Sequence, residues 1–66
     1  MKPQTKNVLH YLHHYGSVTQ LEAIRDLGCM RLAARVKELR ELGYTIVTDT
    51  VTAKNGKRYA SYQLVA

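Results

Sequence analysis

The stretch Gly28-Cys29-Met30-Arg31-Leu32-Ala33-Ala34-Arg35-Val36-Lys37-Glu38-Leu39-Arg40-Glu41-Leu42-Gly43 decides how this chain reads. Leu32, Val36 and Leu39 recur at i, i+4 and i+7, which gives one apolar face to a helix expected over residues 30–42. Gly28 breaks the segment before it, and Gly43 falls where a left-handed C-terminal cap is expected. The other faces carry Arg31, Arg35, Lys37 and Arg40 against Glu38 and Glu41 alone. On a wheel centred on the apolar stripe, Met30, Ala34, Lys37 and Glu41 point outward. Arg31 and Glu38 lie at one margin, and Arg35 and Arg40 flank the core.

Upstream, Thr19-Gln20-Leu21-Glu22 has the form of a capping box, in which the threonine and glutamate side chains satisfy each other's backbone N–H groups. A short helix over residues 20–27 should follow, burying Leu21, Ile24 and Leu27 and closing at Gly28. Cys29 is then a weak N-cap for the next helix. So few linking residues force the two helices to cross steeply, a helix-turn-helix. Before them, Pro3 suits a helix start, and residues 4–15 read as helical. Val8, Leu12 and Tyr15 share one face of that helix, widened by Leu9 and Tyr11, with Lys6, His10, His13 and His14 opposite. Gly16-Ser17-Val18 reads as short and extended.

Downstream of Gly43 the pattern changes to period 2. Residues 44–52 are rich in β-branched side chains and read as a strand, with a returning strand over 58–65. The tip Lys54-Asn55-Gly56-Lys57 allows two registers. A two-residue type I′ turn sets Ile46 opposite Val65 and Asp49 opposite Tyr62. A three-residue loop with Gly56 as a G1 bulge sets Ile46 opposite Leu64 and Thr48 opposite Tyr62. The second is preferred, because it gathers Ile46, Ala60, Tyr62 and Leu64 on one face and turns Asp49 to solvent. An isolated hairpin is barely stable, so it must pack on the first and third helices, and Ser17-Val18 can add a third strand at its edge. The expected fold is α+β: three helices followed by a hairpin wing, in one domain over residues 1–66.

The totals narrow the function classes. Sixty-six residues bury only about 60% of the unfolded surface, so the domain is small and its stability modest. The single cysteine excludes an internal disulfide and, with an opening Met1-Lys2-Pro3 that makes no signal peptide, points to the cytoplasm. No apolar run is long enough to span a membrane. Ten Lys and Arg against five Asp and Glu give a net charge of +5, which favours phosphates as partners. His10 and His14 stand at i, i+4, but no second pair of ligands accompanies them, so no metal is expected. No nucleophile–base constellation is recognisable around Ser17 or Ser61, so neither an enzyme nor a cofactor is expected.

With these elements in place, the chain resembles a winged helix-turn-helix family of bacteriophage and prophage DNA-binding proteins. The resemblance rests on Thr19-Gln20-Leu21-Glu22-Ala23, Leu27-Gly28, Arg31 to Val36, Glu38-Leu39-Arg40, Gly43-Tyr44, Ile46, Tyr62 and Leu64. It extends over nearly everything from Gln4 to Leu64. The apolar positions of the third helix fall later after Gly28 than in compact repressors, so a longer or differently bent turn is expected. The resemblance implies binding to double-stranded DNA. A small phage or prophage transcriptional regulator is the first expectation; an excisionase-like bending factor and a protein-interaction module are the alternatives.

In a helix-turn-helix the second helix enters the major groove by its N-terminal part. Arg31, with a fork matched to guanine O6 and N7, is the first choice for base reading. Met30 and Ala34 lie on the outward arc, Ala34 letting the backbone close on the groove, and Lys37 reaches phosphate or base. Arg35 either touches phosphate, pairs with Glu22 or Asp26, or lays its stem over the core. The wing tip, Lys54, Asn55, Lys57 and Arg58, is placed to lie along backbone or minor groove. Thr19 and Gln20 can bond phosphate at the start of the second helix. One module of this size covers few base pairs, so specificity calls for a homodimer or tandem sites. The outer face of the first helix and the free edge of the hairpin offer the surfaces for such a contact.

Overall fold

A computed structural model describes residues 1–65; Ala66, the last residue of the expected domain, lies outside the described residues. Helix α1 spans Pro3–Tyr15 and strand β1 Ser17–Thr19. Helix α2 opens over Gln20–Glu22 and runs on through a π-helical turn, Ala23–Leu27. Helix α3 covers Leu32–Glu41, and strands β2 (Ile46–Thr52) and β3 (Arg58–Leu64) form the hairpin. The sheet is antiparallel in the order β1-β3-β2, so the last strand lies in the middle. The hairpin takes the bulged register: Ile46 opposes Leu64 and Thr48 opposes Tyr62. Ala53 and Lys57 close the loop, and Gly56 holds the positive φ of 83° that a G1 bulge requires.

The core gathers Val8, Leu9, Tyr11 and Leu12 of α1, Val18, Ala23, Cys29, the α3 stripe Leu32, Val36 and Leu39, and Ile46. Gly43, at φ 103°, ends α3 in a Schellman motif. Its N–H bonds the Arg40 carbonyl, and the Tyr44 N–H bonds that of Leu39. Tyr44 then packs on the core, turning the chain into β2.

Three expectations about packing fail, and each has a local cause. Leu21 and Ile24 are 74% and 40% exposed. The π turn is wider than an α turn, and Ala23 and Leu27 face inward instead. Tyr15 is exposed and stacks on Tyr11 and His14. Helix α3 begins at Leu32, two residues later than expected, and Cys29 is a fully buried core residue rather than its cap.

The cap is supplied from α2. Gln20 Oε1 accepts from the Leu32 N–H at 3.0 Å, and Gln20 Nε2 donates to the Cys29 carbonyl at 2.7 Å. One amide thus satisfies a first-turn N–H of α3, a group that has no partner inside its own helix, and fastens the turn. Thr19 and Glu22 close the reciprocal capping box. Helix α1 is tied to α2 by Tyr11, whose hydroxyl donates to Asp26 Oδ2 at 2.7 Å. Arg25 donates to both oxygens of the same carboxylate. These bonds, Arg25 first, hold the Asp26 carboxyl down at about 2. The bond to Asp26, with burial, pushes the Tyr11 phenol up to about 12.

Gln20→Ala should lose about 1–2 kcal/mol in urea denaturation, and Gln20→Glu, which keeps the acceptor for Leu32 but sets a carboxylate oxygen against the Cys29 carbonyl, should not restore the wild-type stability. Asp26 is ionised more readily folded than unfolded, so its contribution is complete above its ordinary value of 3.8 and disappears as pH falls through about 2. Asp26→Asn should therefore flatten the stability profile between these limits in acid titrations followed by circular dichroism.

Candidate nucleic-acid interface

Between the first turn of α2 and the wing runs an open, mostly apolar groove with Ala33 of α3 on its floor. Thr19, Gln20 and Leu21 form one wall; Asn55, Lys57, Arg58 and Tyr59 belong to the other. Lys37, exposed, stands one turn beyond Ala33 on the same side of α3.

The expected site residues separate into two groups. Met30 (72% exposed) and Arg31 are free of the core but precede the helix, Arg31 occupying its N-cap without a side-chain capping bond. Their place on an extended wheel is therefore not realised; both project from the turn. Lys54, Asn55, Lys57 and Arg58 are all exposed on the wing. Asn55 Oδ1 accepts from the Lys57 N–H at 3.0 Å and so shapes the tip. Ala34 is half-buried, and its neighbour Ala33 is the exposed small residue that meets the groove.

Other residues are committed to the fold. Thr19 and Gln20 line the groove, but their side chains are engaged in the caps. Arg35 pairs neither with Glu22 nor with Asp26. Its guanidinium contacts Glu38 at 2.7 Å and Gln4 at 3.3 Å, facing α1, and its Nε is buried without a partner. Arg40 donates through Nε and Nη2 to the Ile46 carbonyl, at 2.9 and 2.6 Å, and through Nη2 to Thr48 Oγ1. It fastens α3 to β2.

The electrostatics follow from this division. Among the described residues, ion pairs join Lys2 and Arg35 to Glu38, and Arg25 to Asp26. Glu38 also accepts from the buried Thr5 hydroxyl at 2.9 Å, and the Glu22 carboxylate is held by the Thr19 N–H. Arg31, Lys37, Lys54, Lys57 and Arg58 join no ion pair among the described residues. Lys6 on α1 and Arg40, which is bonded to Ile46 and Thr48, join none either; the other five stand at the N-cap of α3, on α3 and on the wing.

Helices in tandem, a capped turn between them, and a bulged hairpin beside the second helix bear directly on kinship. The family model described as Winged helix-turn-helix domain matches residues 3–66. The chain belongs to this family. No curated protein and no solved structure matches it. No helix among the described residues is long and apolar enough to cross a membrane. In this winged helix-turn-helix, sequence reasoning missed Ala33, Leu21 and Tyr59 as groove residues. The hairpin register alone points to Tyr59 lying near the tip; Leu21 and Ala33 depend on the π turn and on where α3 begins.

The two groups of bases should separate in denaturation experiments. Arg31→Ala, Lys37→Ala and Lys57→Ala should each leave stability within about 0.5 kcal/mol of wild type, whereas Arg35→Ala and Arg40→Ala should each lose about 1–3 kcal/mol.

Proposed function

We propose that this protein binds double-stranded DNA sequence-specifically through α3 and the wing, as a small transcriptional regulator. The observation that carries the reading is the set of bases Arg31, Lys37, Lys54, Lys57 and Arg58, without ion pairs among the described residues, of which Lys57 and Arg58 line a groove whose one lining carboxylate, Glu22, is held in a cap. Family membership supports the same partner. The resemblance to phage and prophage proteins supports DNA binding, the regulatory role is part of the proposal, and the work proposed is binding rather than catalysis.

In this reading Arg31 leads into the major groove ahead of the first turn of α3, where side chains meet base edges. Ala33 lets the helix approach closely. Lys37 and the wing bases neutralise phosphates, releasing counterions and making affinity fall steeply with salt. Arg35 and Arg40 act only through the fold.

Selection of bound sites from random duplexes should enrich a defined motif; failure to enrich one would remove the reading. On that motif, Arg31→Ala should relax sequence preference. Lys57→Ala should weaken binding to all sequences alike and reduce the salt slope by about one unit.

A further inference from the structure

Strand β2 forms one edge of the sheet and leaves much of its backbone open. Its residues, Ile46-Val47-Thr48-Asp49-Thr50-Val51-Thr52, include no proline, glycine or lysine, and all but Asp49 are β-branched. Such an edge is a template for another strand unless something blocks it. The bonds from the Val65 N–H to the Thr45 carbonyl and from the Ala53 N–H to the Lys57 carbonyl set the phase of the ladder. Val47, Asp49 and Val51 bond β3, so Ile46, Thr48, Thr50 and Thr52 turn N–H and C=O to the open side. Arg40 occupies the Ile46 carbonyl. Beyond it, the outward backbone groups of Thr48, Thr50 and Thr52 have no partner among the described residues.

We propose that this edge joins two copies of the chain, β2 against β2, antiparallel about a two-fold axis at Thr50. The two sheets then become one continuous sheet. A second copy fits because the edge is self-complementary: Thr48 bonds the partner's Thr52, and Thr50 bonds the partner's Thr50. Asp49 is the strand's one charge, so the net charge of +5 is not concentrated on this edge.

The register follows from two obstacles and from overlap, since an axis at Val51 leaves only Thr50 and Thr52 to bond within the strands. Centring the axis on Asp49 sets two carboxylates directly opposite in a close pair. It also brings the partner's Thr52 onto Ile46, whose carbonyl Arg40 holds. Centring on Thr48 meets the same block. With the axis at Thr50, Asp49 faces the partner's Val51, and the overlap ends short of Arg40. The contact is small, at the weak end of specific interfaces. It is independent of DNA binding.

Sedimentation velocity, run up to near-millimolar protein, tests the proposal. Wild type should show a concentration-dependent dimer. Thr50→Pro removes an N–H that the monomer does not use, a substitution that edge strands tolerate, and should abolish the dimer while leaving the circular dichroism unchanged. Thr50→Lys, a natural form of edge protection, should do the same if the proline disturbs folding. Asp49→Asn reads the register. An unchanged dimer constant supports the axis at Thr50, whereas a severalfold tighter dimer places Asp49 opposite itself and overturns that register. A wild type that stays monomeric, or a dimer that survives both Thr50 variants, overturns the interface.

Discussion

One side-chain amide holds the helix-turn-helix in its angle. Gln20 accepts from the first N–H of α3 and donates to the Cys29 carbonyl, so the start of α3 is capped by a residue twelve positions earlier. Without this clamp, the first turn of α3 would have neither a capping side chain of its own nor a fixed distance from α2. Cys29 and Leu32, both fully buried, lock the turn from beneath. The π turn at the end of α2 and the late start of α3 together give the longer turn that the spacing of apolar residues implied. Arg31 and Met30 are thereby released from the helix, in front of its open end.

The distribution of acids matters as much as the excess of bases. Glu38 sits in the seam between α1 and α3, where Thr5, Lys2 and Arg35 converge on it. Asp26 holds Arg25 and Tyr11, and Glu22 closes a cap. Three of the five carboxylates thus serve the fold, and two of them pair with bases. Of the bases without an ion pair among the described residues, Arg31, Lys37, Lys54, Lys57 and Arg58 lie along α3 and the wing, and Lys6 lies on α1. The same interactions that stabilise the domain therefore polarise it.

The sheet is what turns the hairpin into a wing. Strand β1 pairs with β3, leaving β3 central and β2 at the edge, while Arg40 reaches from α3 to the first outward carbonyl of β2. The hairpin base is held from both sides, and the basic tip projects free. The edge beyond Arg40 is open because no other element among the described residues covers it.

The chain's local chemistry determined much by itself. Both caps around α2 and α3, at Thr19 and Gly43, the buried stripe Leu32, Val36 and Leu39, and the bulged register at Gly56 were legible, because short-range sterics and hydrogen bonds impose them. The exposed wing bases were legible for the same reason, since a turn tip has nothing to bury it. Tertiary structure alone showed how Gln20, Arg35 and Arg40 are engaged, because Gln20 reaches the turn and α3, Arg35 meets Gln4 of α1 besides Glu38, and Arg40 reaches β2. It also decided that Leu21 and Ile24 face out: a π turn shifts the helical phase, and no periodicity count at 3.6 residues reveals that. Which bases stay free was likewise a tertiary matter, since charge cancels in space and not along the chain.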